Sequence, residues 1–283
     1  MRLDLHLHTT YSDGTYTPAE LVAAAKSNGI ALLAVTDHNT LGACPEAAEA
    51  CRAAGIGFIP GVEIDSLFMG RSHHILGLGV DTEHPRLRAI LEKNLGILLQ
   101  MSTALISRMA AQYPGITPED YAAYPDSDFR GGWKGLRYLK ARGITARLEE
   151  GMPFYPAFGL HYTDMPFPSA GEVCAAVHEA GGTAILAHPG NNLPSNATDL
   201  HASLAALAAE GIDGVECYYP SHSPAFTAEC LAFCGARELL VTGGSDDHGT
   251  FSRVVKGTEY SMEAFSAHME TVNLGKLTDR EFA

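Results

Sequence analysis

The stretch LDLHLHTTYSDGT, residues 3–15, sets two histidines at alternate positions and an aspartate five residues after the second. A strand turns residues i and i+2 to one face, so His6 and His8 look the same way and Leu3, Leu5 and Leu7 the other. Two imidazoles with a nearby carboxylate are donor types for a divalent metal ion. The same types recur: His38 in TDHNT, Glu63 in GVEID, His74 in HHILGLG, His188 in AHPG, and Asp246 and His248 in GSDDHG. Any one of these alone reads as an ordinary hydrogen-bonded residue at a strand end. Together with Asp13 they make nine nitrogen and oxygen donors without a thiolate, which suits redox-inert Lewis-acid chemistry on Mn, Fe or Zn.

The elements that carry them follow a βα rhythm. LDLHLH reads as a strand, and TPAELVAAAKSNG as a helix with Thr17 as N-cap, Pro18 at N1, Glu20 at N3 and Gly29 past the end. IALLAVTDHN is a near-continuous apolar run, expected of a parallel strand covered on both faces. A helix around 44–54 ends at Gly55, and GFIPGVEID and HHILGLGVD follow as strands. The rhythm then breaks with a long helix over 86–112 and a tract over about 115–165, rich in Pro, Gly and Tyr, with no clear strand. It resumes with a helix opened by SAGEVCAAVHEAGG, the strand TAILAHPG and a helix over about 199–210. The strand GIDGVECYY, a helix over 224–235 and the strand ELLVTGGSDDHG complete it. The polar groups gather at strand C-terminal ends, as barrel enzymes arrange them. The expected fold is therefore α/β, a parallel (β/α)7-type barrel in preference to a doubly wound sheet, made of residues 1–89 and 166–283. A mostly helical insertion, residues 90–165, is expected to form a lid.

Composition narrows the class. With 283 residues and 46% hydrophobic content the chain can bury a large core. A formal net charge of −14 argues against duplex DNA as a partner but leaves room for a small anion in a locally cationic cleft. No apolar run approaches about 20 residues, so no membrane span is expected. The N-terminus carries no secretory pattern. The six cysteines form no C-x-x-C pair, which fits a reducing cytoplasm. Oligomeric state has no signature.

HLHTTYSDG and TDHNT resemble the first two motifs of the PHP (polymerase and histidinol phosphatase) family. GVEID resembles the segment of its bridging glutamate, and HHIL, AHPG and GSDDHG its later motifs, over most of residues 1–80 and 166–250. The resemblance implies a distorted form of this barrel and three divalent ions, Mn2+ first, with Fe2+ or Zn2+ also fitting. One would be held by His6, His8, Glu63 and Asp246, a second by Glu63, His74 and His188, and a third by Asp13, His38 and His248. The family pattern puts the ligand directly before the aliphatic pair, which selects His74; His73 is expected on the opposite face, at the surface or supporting a ligand. Asp247 alternates away from Asp246 and His248. Asp37 and Asn39 flank His38 and could orient it, and Asp37 joins the candidate catalytic groups.

Three divalent ions against the carboxylates of Asp13, Glu63 and Asp246 and one hydroxide leave a charge of about +2, suited to a phosphate dianion. Phosphoester hydrolysis by in-line attack of an activated water is the expected chemistry. His222, in YYPSHS beyond a strand end, is the candidate general acid. In DFRGGWKGLRYLK, Arg130, Lys134 and Arg137 are candidate binders of a second phosphate, Lys134 and Arg137 sharing a helix face at i, i+3. Trp133 and Tyr155 could stack on a base or simply pack. Length and insertion resemble the subgroup acting on nucleotides. The expected substrate is thus a nucleoside 3′,5′-bisphosphate, such as adenosine 3′,5′-bisphosphate converted to AMP, with short RNA trimmed from the 5′ end as a further substrate. The alternatives are a histidinol-phosphate phosphatase, a polymerase-associated proofreading exonuclease and a non-catalytic metal-binding module; no basic DNA track supports the exonuclease, and the complete ligand set argues against the module.

Overall fold

Apolar runs and turn residues build the strands and helices where the sequence places them. A computed structural model describes residues 1–125, 133–251, 253–265 and 267–277. The strands β1 (Arg2–Asp4), β2 (Ile30–Val35), β3 (Gly57–Phe68), β4 (Arg71–Leu78), β5 (Thr183–Leu186), β6 (Gly214–Tyr218) and β7 (Leu240–Gly243) lie side by side in chain order. Beyond them, β8 (Val254–Val255) and β9 (Thr258–Glu259) form a small separate hairpin, and β10 (Ala267–His268) runs antiparallel outside β1. Past Asp4 the chain continues along the end of β7: Leu5 N–H donates to Gly243 O at 3.2 Å and His8 N–H to Asp247 O at 3.0 Å. The sheet thereby nearly closes into a mostly parallel barrel.

One strand departs from the expected direction. β4 is antiparallel to both β3 and β5. The link between β3 and β4 is Met69–Gly70, both with left-handed φ (50° and 72°), a two-residue turn that makes a hairpin and leaves no chain for a crossover helix. The leucine alternation also breaks. Leu3 and Leu5 join the cluster inside the barrel with Leu32, Ile59, Leu76 and Ile185. Leu7 instead packs outside with the helices. The regular ladder stops at Asp4, so the chain is free to turn before His6.

The covering helices are capped as the sequence requires. Thr17 and Glu20 close a capping box on α1 (Pro18–Ser27), and Gly55, at φ 70°, ends α2 (Cys44–Ala54). Ser169 and Glu172 form a second capping box on α7 (Ala170–Glu179). α8 (Ala197–Glu210) and α9 (Pro224–Arg237) complete the barrel wall. α3 (Pro85–Met109) leaves the barrel: Leu87 and Leu91 belong to the barrel core, while from Ile97 onward its buried residues join a second apolar cluster. α4 (Pro118–Ala123), α5 (Lys134–Ala141) and α6 (Phe154–Ala157) add to that cluster, and the described residues of 110–165 contain no strand. By length and composition α3 could cross a membrane, contrary to the expectation from apolar runs; its apolar face is instead divided between these two cores.

Candidate metal centre

Glu63 is an acidic residue in a strand whose neighbours Val62 and Ile64 face the outer core, so its carboxylate points into the barrel mouth. Its Oε1 lies 2.7 Å from His74 Nδ1 and 2.8 Å from His188 Nε2. Its Oε2 lies 3.1 Å from His6 Nε2, 3.2 Å from His8 Nε2 and 3.3 Å from His38 Nδ1. Asp246 Oδ1 is 3.2 Å from both His6 Nε2 and His8 Nε2. Asp13 faces His248 Nε2 at 3.2 Å and His38 Nε2 at 3.8 Å. The structure thus brings all nine expected donors together. Their atoms fall into groups close enough to share an ion: His6, His8, Glu63 and Asp246; Glu63, His74 and His188; and Asp13, His38 and His248 with His8 beside them. A fourth group, His38, Asp65 and His74, includes Asp65, which sequence reasoning did not single out.

The chemistry of the cluster fits divalent ions. His6 Nε2, His8 Nε2, His38 Nδ1 and Glu63 Oε2 are buried without hydrogen-bond partners, a costly state that a shared cation relieves. Burial alone would strip the proton from His74, yet Glu63 and Asp65 hold it and push the pKa up to about 9. Burial is likewise outweighed at His248, where Asp13 and Asp246 raise the pKa to about 10. Burial opposes ionisation of Glu63, but His38, His6 and His74 keep it well below the usual carboxylate range. The centre demands positive charge, and metal ions must displace the protons that otherwise supply it. Metal affinity therefore rises with pH until those histidines have lost their protons, and falls below. Adding Mn2+ to metal-free protein at pH 8 is expected to release about two protons or more per chain. Titration calorimetry in buffers of different ionisation enthalpy measures this, and release of none contradicts the coupling.

Several residues position the donors. Glu216 on β6 accepts from His6 Nδ1–H at 3.0 Å and from the His188 N–H at 2.8 Å, fixing the His6 tautomer that aims Nε2 inward. Sequence reasoning missed it. Its signal was a carboxylate between Val215 and Cys217 in an otherwise apolar parallel strand. Asn39, His188 and Asp246 hold left-handed φ of 52°, 27° and 56°, where the chain turns sharply at a strand end and re-aims its side chains. Asn39 serves Asp65 rather than His38: its Nδ2 donates to Asp65 Oδ2 at 2.5 Å, and its Oδ1 accepts from Asp65 N–H and from Asn94 of α3. Asp247 accepts from the Gly249 and Met262 N–H groups, turned away from the donors as the alternation implied.

Asp37, grouped above with catalytic residues, faces the turn after His8 instead. It accepts from Thr9 N–H at 2.8 Å, Thr9 Oγ1 at 2.6 Å and Ser12 Oγ at 2.6 Å. It is a positioning residue for the turn that carries His8 and Asp13. Asp37→Ala strands three buried donors, so a loss of roughly 3 kcal/mol of stability is expected, read as a lower melting temperature, together with weaker metal binding.

The other expectations meet mixed outcomes. His73 faces away from the cluster, but it is buried rather than at the surface, edge-on to Phe68, and burial pushes its pKa down to about 4. His222 Nδ1–H donates to Cys217 O at 3.0 Å, and its Nε2 accepts from Gly190 N–H at 3.1 Å. Both nitrogens are committed to backbone, and burial lowers its pKa, so the ring holds no proton aimed at a leaving group. Lys134 and Arg137 do not act together: Lys134 is buried with its ammonium 5.1 Å from the Tyr121 ring, whereas Arg137 donates to Ser12 O at 3.3 Å beside the centre. Arg130 lies outside the described residues. The site holds two carboxyl groups, Asp65 and Glu216, beyond the three carboxylates of the charge sum. A cavity of about 610 Å3 opens directly on Asp246 and His248, and Lys256, in the β8–β9 turn, lines it with Asn191, Tyr219 and Tyr260. Tyr219 donates its hydroxyl to Asp246 Oδ2 at 2.7 Å.

The PHP domain family model matches residues 4–132. An Escherichia coli 5′-3′ exoribonuclease is 32% identical over 87% of this chain and 84% of its own length. The chain belongs to the PHP family. A Chromobacterium violaceum 3′,5′-nucleoside bisphosphate phosphatase is 31% identical over 91% of both chains. An Eggerthella lenta phosphoribosyl 1,2-cyclic phosphate 1,2-diphosphodiesterase is 29% identical over 89% of this chain and 95% of its own. A Bifidobacterium adolescentis structure described as a metal-dependent phosphoesterase superposes with a TM-score of 0.75, at 28% identity and 93% coverage of both chains. The fold is the PHP barrel, and the chain is a metal-dependent phosphoesterase of that family.

Proposed function

We propose that this phosphoesterase removes the 3′-phosphate of a nucleoside 3′,5′-bisphosphate, leaving the 5′-monophosphate, and trims short oligoribonucleotides from the 5′ end. The observation that carries the reading is the cavity of about 610 Å3 with Asp246 and His248 at one end and Lys256 on its wall. It offers room for the phosphates of a nucleotide beside the metal centre and a cation for the second of them. The names of the Chromobacterium and Escherichia relatives support the same substrate class.

In this reading three divalent ions, Mn2+ first, are held by His6, His8, Glu63 and Asp246, by Glu63, His74 and His188, and by Asp13, His38 and His248. Bound there, they supply Lewis-acid polarisation of the phosphoryl group and an acidified water. Glu216 orients His6, Asp37 steadies the turn bearing His8 and Asp13, and Arg137 and Lys256 balance phosphate charge. His222 braces the Gly190 turn, where an added Cβ would stand 2.6 Å from its ring. Residues 90–165 act as the lid, and six free, buried cysteines support a reducing compartment.

The test is a phosphate-release screen with Mn2+ over mononucleotides, nucleoside bisphosphates, short oligoribonucleotides, a phosphoribosyl cyclic phosphate and histidinol phosphate. Bisphosphates turned over well ahead of mononucleotides are the expected result. Preference for histidinol phosphate or the cyclic phosphate overturns the reading.

A further inference from the structure

A second cavity, of about 410 Å3, lies in the insertion, with Trp133, Tyr155 and Tyr162 among its walls. Its size is within the range of small-molecule pockets. The Trp133 and Tyr162 rings are nearly parallel, 19° apart with centroids separated by 6.4 Å. Tyr155 stands edge-on to Trp133 and is pinned by its hydroxyl to Ser102 at 2.8 Å, so it is a fixed wall. Trp133 is 8% exposed and, with Tyr155 and Tyr162, gives the cavity aromatic walls. Such walls suit a flat aromatic group. A purine or pyrimidine is such a group, and a bare ribose phosphate is not.

The cavity is tied to the metal centre through Tyr162. The turn Tyr162–Asp164 packs against β4, the strand that carries His74. Tyr162 thus stands in a turn against the strand that carries His74, while it also lines the aromatic cavity. We propose that the base of the substrate binds in this cavity, against Trp133 and Tyr162, while its phosphate lies on the metal centre. The proposal rests on the nucleotide reading above, because base and phosphate must belong to one molecule.

Trp133 is the single tryptophan of the chain, so its emission reports on this cavity alone. Metal-loaded protein is titrated with adenosine, guanosine, cytidine and uridine, which carry no phosphate to hydrolyse, and with ribose 5-phosphate as a baseless control. At least one nucleoside is expected to change the emission saturably, and ribose 5-phosphate to leave it unchanged. Tyr162→Ala is expected to weaken that nucleoside about tenfold by removing one stacking face, and Tyr162→Phe to retain it. The proposal is overturned if no nucleoside changes the emission, or if ribose 5-phosphate changes it equally. The unsubstituted protein decides this even if Tyr162→Ala fails to fold. A protein that releases phosphate from bisphosphates but ignores nucleosides loses this pocket and keeps its proposed function. Nucleoside binding without phosphate release does the reverse.

Discussion

Glu63→Gln is expected to lower kcat/KM for phosphate release by roughly a thousandfold, with metal content falling alongside. The reason is geometric as much as electrostatic. The two Glu63 oxygens stand within 3.3 Å of nitrogens from five histidines, which belong to several of the ligand groups. Glutamine keeps the shape but removes the charge that joins two of the ligand groups, and it turns an N–H donor toward nitrogens that must offer lone pairs. Excess Mn2+ should not restore the rate, because in the proposed arrangement the lost group is itself a ligand. Metal analysis beside steady-state kinetics, with circular dichroism to check folding, measures the outcome. Full activity with full metal content would remove Glu63 from its bridging place.

Glu216→Gln is expected to behave differently. Glu216 reaches no metal in the proposed arrangement; it holds the His6 Nδ1–H and the His188 backbone. Weakening such a partner costs about 10–100-fold in metal affinity. Activity at limiting Mn2+ should fall by about that factor, and excess Mn2+ should restore most of it, so the metal titration shifts while the plateau is nearly kept. A variant whose titration curve overlays the parent's would show that His6 is oriented without Glu216. The pair of variants separates a group that binds the ions from one that aims a ligand.

Much of this was legible along the chain. Helix ends were written in Thr17, Pro18, Glu20, Ser169 and Glu172, because capping is a local matter decided within a turn. The nine donors were legible because they recur in short motifs at strand ends; the resemblance to the family pattern selects His74, and a strand's alternation then turns His73 the other way. What misled the reading was burial and partner choice. His222 and Lys134 look available in sequence, yet one is hydrogen-bonded at both ring nitrogens and the other packs on Tyr121. Asp37 beside His38 looks catalytic, but three donors from residues 9–12 claim its oxygens.

The sequence by itself determined the barrel's strand and helix order, the chemistry of the donors and their place at the barrel mouth, since periodicity, capping and residue type act over a few neighbours. Only the tertiary structure decided the antiparallel β4, the insertion of Asp65 and Glu216 among the donors, and the packing of the Tyr162–Asp164 turn against β4. Those depend on contacts between residues tens to hundreds of positions apart, such as His6 with Glu216, and on how closed strands share one interior. Spacing along a chain carries no record of such distances.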